Sequence, residues 1–253
     1  MSLQIRSSLT GGIGRCLNRN GLLLALAYVF VGAAWQVLLY SAVVAAVGQS
    51  AARGGASALP TVDLPLVVSA GGAVVALVLL QYLTIVAIRT FVGGHTRTIP
   101  AEFYTRNIPY VLVNSIIGSL AFGLAIFVGS ILFVVPGIIA YVAFIFTLLY
   151  IAAEDQSFIA AFRSSWNVTR GNWLRLFGLL VVVLLGITIV PGVLSALTSA
   201  VFTTTLGPAL ATLASGTLTL PFSLLLLGIL AEAFTQLRTA QERSEPRTGA
   251  SAA

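Results

Sequence analysis

The sequence has no lysine, one histidine, one cysteine and seven acidic residues in 253, and each scarcity closes off a line of chemistry. Without lysine there is no phosphate-binding P-loop, and neither a G-x-S-x-G elbow nor an H-E-x-x-H pair occurs. One imidazole cannot build a metal site alone, so His95, in FVGGHTRT, reads as a solvated loop residue. Cys16 has no partner for an intramolecular disulfide, so the loops are not stapled. No two acids fall inside a long apolar run, where a low dielectric could tune them for proton transfer. The expectation is a chain that is not an enzyme and uses no cofactor and no metal.

Charge of any kind is scarce. Only 8% of residues are charged while 58% are hydrophobic, well above the roughly 45–50% of soluble domains, and the mean hydropathy is +1.03. Lipid is the natural solvent of such a chain. Charge-free gaps of 33, 25, 47 and 56 residues separate Arg19 from Arg53, Asp63 from Arg89, Arg106 from Glu154 and Arg175 from Glu232. A hydrocarbon core of about 30 Å takes about 20 helical residues, so the first two gaps hold one span each and the last two hold a pair. The spans fall near 22–47, 64–88, 109–134, 136–153, 173–192 and 215–237. In FVVPGIIA, Pro136 and Gly137 supply the turn between the third and fourth. Pro191-Gly192 and Gly207-Pro208 bracket a stretch that reads as an outer loop, an interfacial helix, or the overshoot of two long tilted spans. A first span of 26 residues is too long for a signal-peptide core and is read as retained.

All thirteen basic residues are arginine, and six spans put twelve of them on one side, with only Arg53 opposite. Under the positive-inside rule the chain is a multi-pass protein of the cell membrane with both termini in the cytoplasm. The net charge of +6 is dispersed in threes at membrane edges, so it argues for membrane lipids as partners and against nucleic acid. Residues 1–238 form one membrane domain, and 239–253 read as a disordered cytoplasmic tail.

Each odd-numbered span follows a related phrase: LNRNGLLL, YTRNIPYVLV and VTRGNWLRLF. The expected fold is therefore all-α, with six transmembrane helices as three hairpins, each entered through an amphipathic cytoplasmic lead-in helix. In the first lead-in Ile5, Leu9, Ile13 and Leu17 recur every four residues, although Gly11, Gly12 and Gly14 weaken the helix. The third, EDQSFIAAFRSSWNVTRGN, is the best formed. Phe158, Phe162 and Trp166 recur at i, i+4 and i+8 and, with Trp173, are candidate interfacial anchors. Asp155 or Ser157 caps the helix, Glu154 and Asp155 favour the positive end of its dipole, and Gly171 with Asn172 stops it. Arg163, Asn167 and Arg170 project on an adjoining side as a candidate surface for lipid headgroups or a cytoplasmic or membrane protein. In the third span Ser115, Gly118, Ser119 and Ala125 form a candidate small-residue packing seam, with Gly72 and Ala76 of the second span as counterpart and the third span central.

Residues 136–173 resemble the recurring signature of prokaryotic six-span membrane proteins that include the membrane domain attached to some glycerophosphodiester phosphodiesterases. The likeness rests on Pro136-Gly137, Glu154-Asp155, Ala161, Ser165-Trp166, Thr169 and Gly171-Asn172, and the arginine-only style is similar to archaeal members. It implies a stand-alone membrane module, because the phosphodiesterase chemistry of the fused proteins belongs to a separate soluble barrel. The function expected is a non-enzymatic module that contacts headgroups or partner proteins through its juxtamembrane helices. The alternative is a carrier or channel for a neutral or amphipathic small molecule, which a polar cavity past Gln36, Gln81 or Asn114 would favour.

Overall fold

The computed structural model describes residues 4–48, 59–205 and 207–244, and among these the regular structure is all helical. Arg53, Arg247 and the tail beyond 244 lie outside the described residues. In chain order the helices are α1 (Ile5–Cys16), α2 (Arg19–Val47), α3 (Leu66–Val92), α4 (Glu102–Thr105), α5 (Ile108–Leu132), α6 (Val134–Phe144), α7 (Thr147–Glu154), α8 (Phe158–Thr169), α9 (Trp173–Thr205) and α10 (Pro208–Ser244). Six stretches are long and apolar enough to cross a membrane: Arg19–Val47, Leu66–Val92, Ile108–Ile131, Val135–Glu154, Trp173–Thr205 and Pro208–Arg243. The protein is a multi-pass membrane protein.

Local chemistry sets the boundaries. Asn18 caps α2 by accepting the Gly21 amide at 2.9 Å, and a proline occupies the first turn of α5. Between α5 and α6 the chain reverses at Phe133, whose extended backbone precedes Pro136 by three residues, so the proline falls inside the first turn of α6. A Cβ on Gly129 would lie 3.0 Å from Gly137 Cα, which shows how closely the two helices approach there. The fourth crossing is broken at Ile145 and Phe146, where a turn separates α6 from α7. Of the three readings of residues 191–214, the overshoot describes the molecule. Pro191 lies inside α9, Pro221 lies inside α10, and Gly207, at φ +86°, turns between them. At 1.5 Å per residue these helices are about 50 and 55 Å long, which exceeds a bilayer core and calls for tilt or projection. α10 also continues through residues expected in the tail, up to Ser244, where an ion pair from Arg238 Nε to Glu242 at 3.3 Å supports its last turns.

α2 packs chiefly on α3, α5 on α6 and α9 on α10, while α10 also borders α1, α2 and α3. The most tightly buried side chains gather toward one end of the bundle, including Ile85, Ile88 and Phe91 of α3, Leu149 and Ile151 of α7, Leu176 of α9 and Phe234 of α10. Two expectations are corrected. α5 is peripheral: Val113, Ile116, Ile117, Leu120, Leu124 and Phe127 are exposed, as suits a lipid-facing flank. Its small face meets α6 and α7 rather than the second span, because Gly118 approaches Ile151 Cδ1 while Gly72 of α3 lies against Leu38 of α2. Of the seam, Ser115 and Gly118 are buried, Ala125 is half-buried and Ser119 is exposed. The second lead-in is a single turn, α4, and α1 buries Ser8 and Gly12 while Ile13 and Leu17 are exposed.

Candidate functional site

The polar side chains converge at the end of the bundle where α1, α3, α4, α7 and α10 meet. At its centre is Arg89, near the end of α3, with a side chain only 1% exposed. Its guanidinium donates from Nε to Ala152 O at 2.8 Å, from Nη1 to Phe103 O at 3.0 Å, and from Nη2 to Arg106 O at 2.9 Å and Asp155 Oδ1 at 2.8 Å. A planar fork with five donors suits this role, since it can satisfy carbonyls left free at several helix ends while remaining charged. Asp155 is left-handed, at φ +53°, and closes α7; this conformation turns its carboxylate back toward Arg89. Its second oxygen lies 3.0 Å from Arg106 Nε and accepts from Asn107 Nδ2 at 3.1 Å. Asn107 is itself left-handed, at φ +49°. Arg106 also donates to Ala153 O at 3.0 Å. The α3–α5 connection is thereby bound to the α7–α8 corner.

Glu154 pairs with Arg238 of α10, and Glu232 of α10 pairs with Arg15 of α1 at 2.6 Å. These contacts tie the beginning, two connections and the last helix of the chain to one face. They also correct the assignment of Glu154 and Asp155 to the N-terminus of α8. Ser157 is the cap, accepting the Ala160 amide at 3.4 Å, while the two acids are taken up by arginines from other parts of the chain.

α8 packs across the break in the fourth crossing. Its buried face is Ala161, Ser165, Val168 and Thr169. Ser165 Oγ donates to Ala143 O at 2.8 Å and accepts from the Phe146 amide at 3.3 Å, and Thr169 Oγ1 donates to the same carbonyl at 3.2 Å. A break inside an apolar crossing frees backbone groups that lipid cannot satisfy, and α8 supplies the partners. The N-terminus of α8 is held by Asn114 of α5, whose Oδ1 accepts the Phe158 amide at 3.0 Å. Sequence reasoning missed both roles. The signal was a serine and a threonine on the helix face beside the aromatics.

The aromatics flank that face instead of standing free. Phe162 and Trp166 pack on Phe144, with ring centroids 4.8 and 5.8 Å away, and Trp166 meets Trp173 edge-on at 5.1 Å. Phe158 is half-buried against the core, and Trp173 Nε1 donates to Thr169 Oγ1 at 3.3 Å. The exposed side carries Ile159, Arg163, Trp166, Asn167 and Arg170. Among the described residues, Arg163, Asn167 and Arg170 form no ion pair and no side-chain hydrogen bond.

Two of the three glycines read as weakening α1, Gly11 and Gly12, face α10, whereas Gly14 faces open space. A Cβ on Gly12 would collide with the backbone of Ile229, and one on Gly228 would fall 2.9 Å from Gly12 O, so α1 and α10 approach through bare backbone. Cys16 ends α1, donating from Sγ to Leu224 O at 3.2 Å, and burial pushes its thiol up to about 11. His95 is a half-buried loop residue: its ring lies edge-on to Phe103 at 5.2 Å, and its carbonyl accepts from Asn20 Nδ2 at 2.9 Å.

A family described as a domain of unknown function, DUF7847, matches residues 3–237. The chain belongs to that family. No curated protein and no solved structure matches it.

In this family member the spans hold an apolar pocket of about 210 Å³ beside the break, lined in part by Gly118, Phe122, Tyr141, Phe144, Thr147 and Leu230. Gln36, Gln81 and Asn114 do not line it. Gln36 Oε1 and Gln81 Nε2 are buried without a hydrogen-bond partner, whereas both ends of the Asn114 amide are engaged, Nδ2 donating to Tyr110 O at 2.9 Å. A more polar groove of about 400 Å³ opens between α1 and α10, with Gln4, Ser7, Glu232 and Gln236 among its walls. Among the described residues no group of three or more His, Cys, Asp or Glu is placed to hold a metal ion.

Proposed function

We propose that the chain is a non-enzymatic module of the cell membrane, built as three two-span hairpins with both termini cytoplasmic, whose juxtamembrane helices contact lipid headgroups or partner proteins. One observation carries the reading: Glu154, Asp155 and Glu232 at the arginine-rich end are engaged in holding the connections together, while α8 presents a cationic strip that has no partner among the described residues. An ion-paired layer of this kind is suited to fixing a surface, and the cationic strip to meeting anionic groups. The arginine asymmetry supports a cytoplasmic placement for this end. The resemblance of residues 136–173 to the membrane domain of some glycerophosphodiester phosphodiesterases fits a module without chemistry of its own.

Purification of the full chain with its surrounding bilayer, followed by mass spectrometry of lipids and proteins, tests the proposal. Retention of a defined lipid class or protein through the α8 face supports it; a chain that retains neither rules it out. A second reading, a carrier for a neutral or amphipathic molecule, draws on the unpartnered Gln36 and Gln81 amides within the spans. That reading requires water to reach these groups, so protection of both from hydroxyl-radical labelling would remove it.

A further inference from the structure

Read along the chain, residues 154–172 look neutral, since two acids accompany two arginines. In the folded protein they are not. Glu154 is paired with Arg238, and Asp155 lies between Arg89 and Arg106, so both negative charges are spent on cations from α10, α3 and the α4–α5 corner. α8 itself contains no acid. Arg163, Asn167 and Arg170, at i, i+4 and i+7, therefore form a row on its exposed side that is uncompensated among the described residues. Within the same row Ile159 is 54% and Trp166 37% exposed, so the strip joins cationic donors to apolar side chains. Trp166 rests on Trp173, whose surroundings open as a surface groove of about 410 Å³ lined by Gly171, Asn172, Trp173, Leu174 and Arg175. Leu174 and Arg175 are both exposed, which repeats the pairing of an apolar and a cationic group in the first turn of α9.

We infer that this corner is a binding site for an anionic phospholipid, with Arg163 and Arg170 facing the phosphodiester and Ile159, Trp166 and Leu174 entering the boundary between headgroup and chain. The inference rests on the membrane-module reading above and names the ligand class of its α8 surface. Charge complementarity selects a lipid with net negative charge over a zwitterionic one, because a choline or ethanolamine group brings a cation back to the arginines. The tryptophans sit where an amphipathic ring is stable, at headgroup level. Arg6 and Arg97, also exposed, lie on α1 and in the α3–α4 connection, where no tryptophan neighbours them in sequence.

The test uses the full chain carrying Trp35→Phe, which leaves Trp166 and Trp173 as the only tryptophans. It is reconstituted in phosphatidylcholine vesicles containing either phosphatidylglycerol or further phosphatidylcholine, each brominated high on the chain. Fluorescence quenching reports which lipid lies beside the pair. Brominated phosphatidylglycerol should quench preferentially, by about fivefold in relative association for each arginine at low salt, with the preference falling as salt is raised. Arg163→Gln with Arg170→Gln should abolish the preference, while the corresponding lysine pair and the Arg6→Gln, Arg97→Gln pair should keep it. Equal quenching by the two lipids in the parent chain overturns the inference, as does a preference that survives the glutamine pair or is lost equally in the Arg6, Arg97 variant. If it falls while a protein still co-purifies through α8, the broader module reading stands; if neither is found, both fall.

Discussion

Replacing Arg89 by glutamine tests whether the ion-paired layer holds the connections. The parent guanidinium makes four hydrogen bonds, three to main-chain carbonyls and one to Asp155, from a side chain 1% exposed. Glutamine has two donors on one nitrogen, so it reaches at most two of these acceptors and leaves the others buried and unsatisfied. Asp155 is not abandoned, since Arg106 still lies 3.0 Å from its second oxygen and the carboxylate side chain is 18% exposed. The loss is therefore dominated by the carbonyls of Ala152, Phe103 and Arg106. Breaking one partner of a buried network costs about 3–5 kcal/mol, and that is the destabilisation expected for Arg89→Gln in reversible unfolding in mixed micelles. Arg89→Lys keeps the charge without the fork and should recover part of the loss. Because Asp155→Asn removes a contact shared with Arg89, the double variant should be less destabilised than the sum of the singles by about 1 kcal/mol or more. An Arg89→Gln loss below about 1 kcal/mol would refute the account, since no buried network of this kind is so cheaply dismantled.

Further consequences follow from the same contacts. Gly12→Leu should lift α1 from α10, because its Cβ has no room against Ile229; the readout is faster maleimide labelling of Cys16, and an unchanged rate would contradict the packing. Ser165→Ala should cost about 1–3 kcal/mol in the same unfolding assay, chiefly through the acceptor lost by the Phe146 amide, since Ala143 O loses one donor and keeps Thr169 Oγ1. Burial raises the folded Cys16 thiol from 9.0 to about 11, so it is neutral and slow to alkylate at neutral pH. Its contribution to stability is complete below about pH 9 and is lost as pH rises toward 11, a trend that Cys16→Ser should remove. In a Cys16→Ser background, an impermeant maleimide applied to intact cells should label Asp63→Cys and not Trp166→Cys, and the reverse pattern would invert the proposed orientation.

The crossings were legible because they depend on length and apolarity, which a charge-free gap records directly. The positions where the chain departs from a regular crossing were not. Pro191 looks like a stop but lies within α9, because a proline inside a membrane helix can have its freed carbonyl satisfied by neighbours or local adjustment. Ile145 and Phe146 carry no turn residue, yet the fourth crossing breaks there, because Ser165 and Thr169, some twenty residues away, satisfy the exposed backbone. Gly12 weakens a helix in isolation and permits α1 to dock in context. For the break and for Gly12 the decisive partner is remote in sequence.

The same remoteness governs charge. Local reading assigns Glu154 and Asp155 to the helix they precede, since carboxylates favour a helix N-terminus by about 0.3–1 kcal/mol. A buried guanidinium places a far greater demand, because Arg89 without a counterion would leave an isolated charge in an apolar setting. Arg89 therefore decides where Asp155 turns, and the left-handed backbone of Asp155 is the local concession that lets it do so. Satisfying Arg89 in this way removes from α8 the acid nearest to it in sequence. The cation inside the bundle and the cationic strip on its surface are thus two consequences of one arrangement, and Asp155→Asn should disturb the first while leaving Arg163 and Arg170 as unopposed as before.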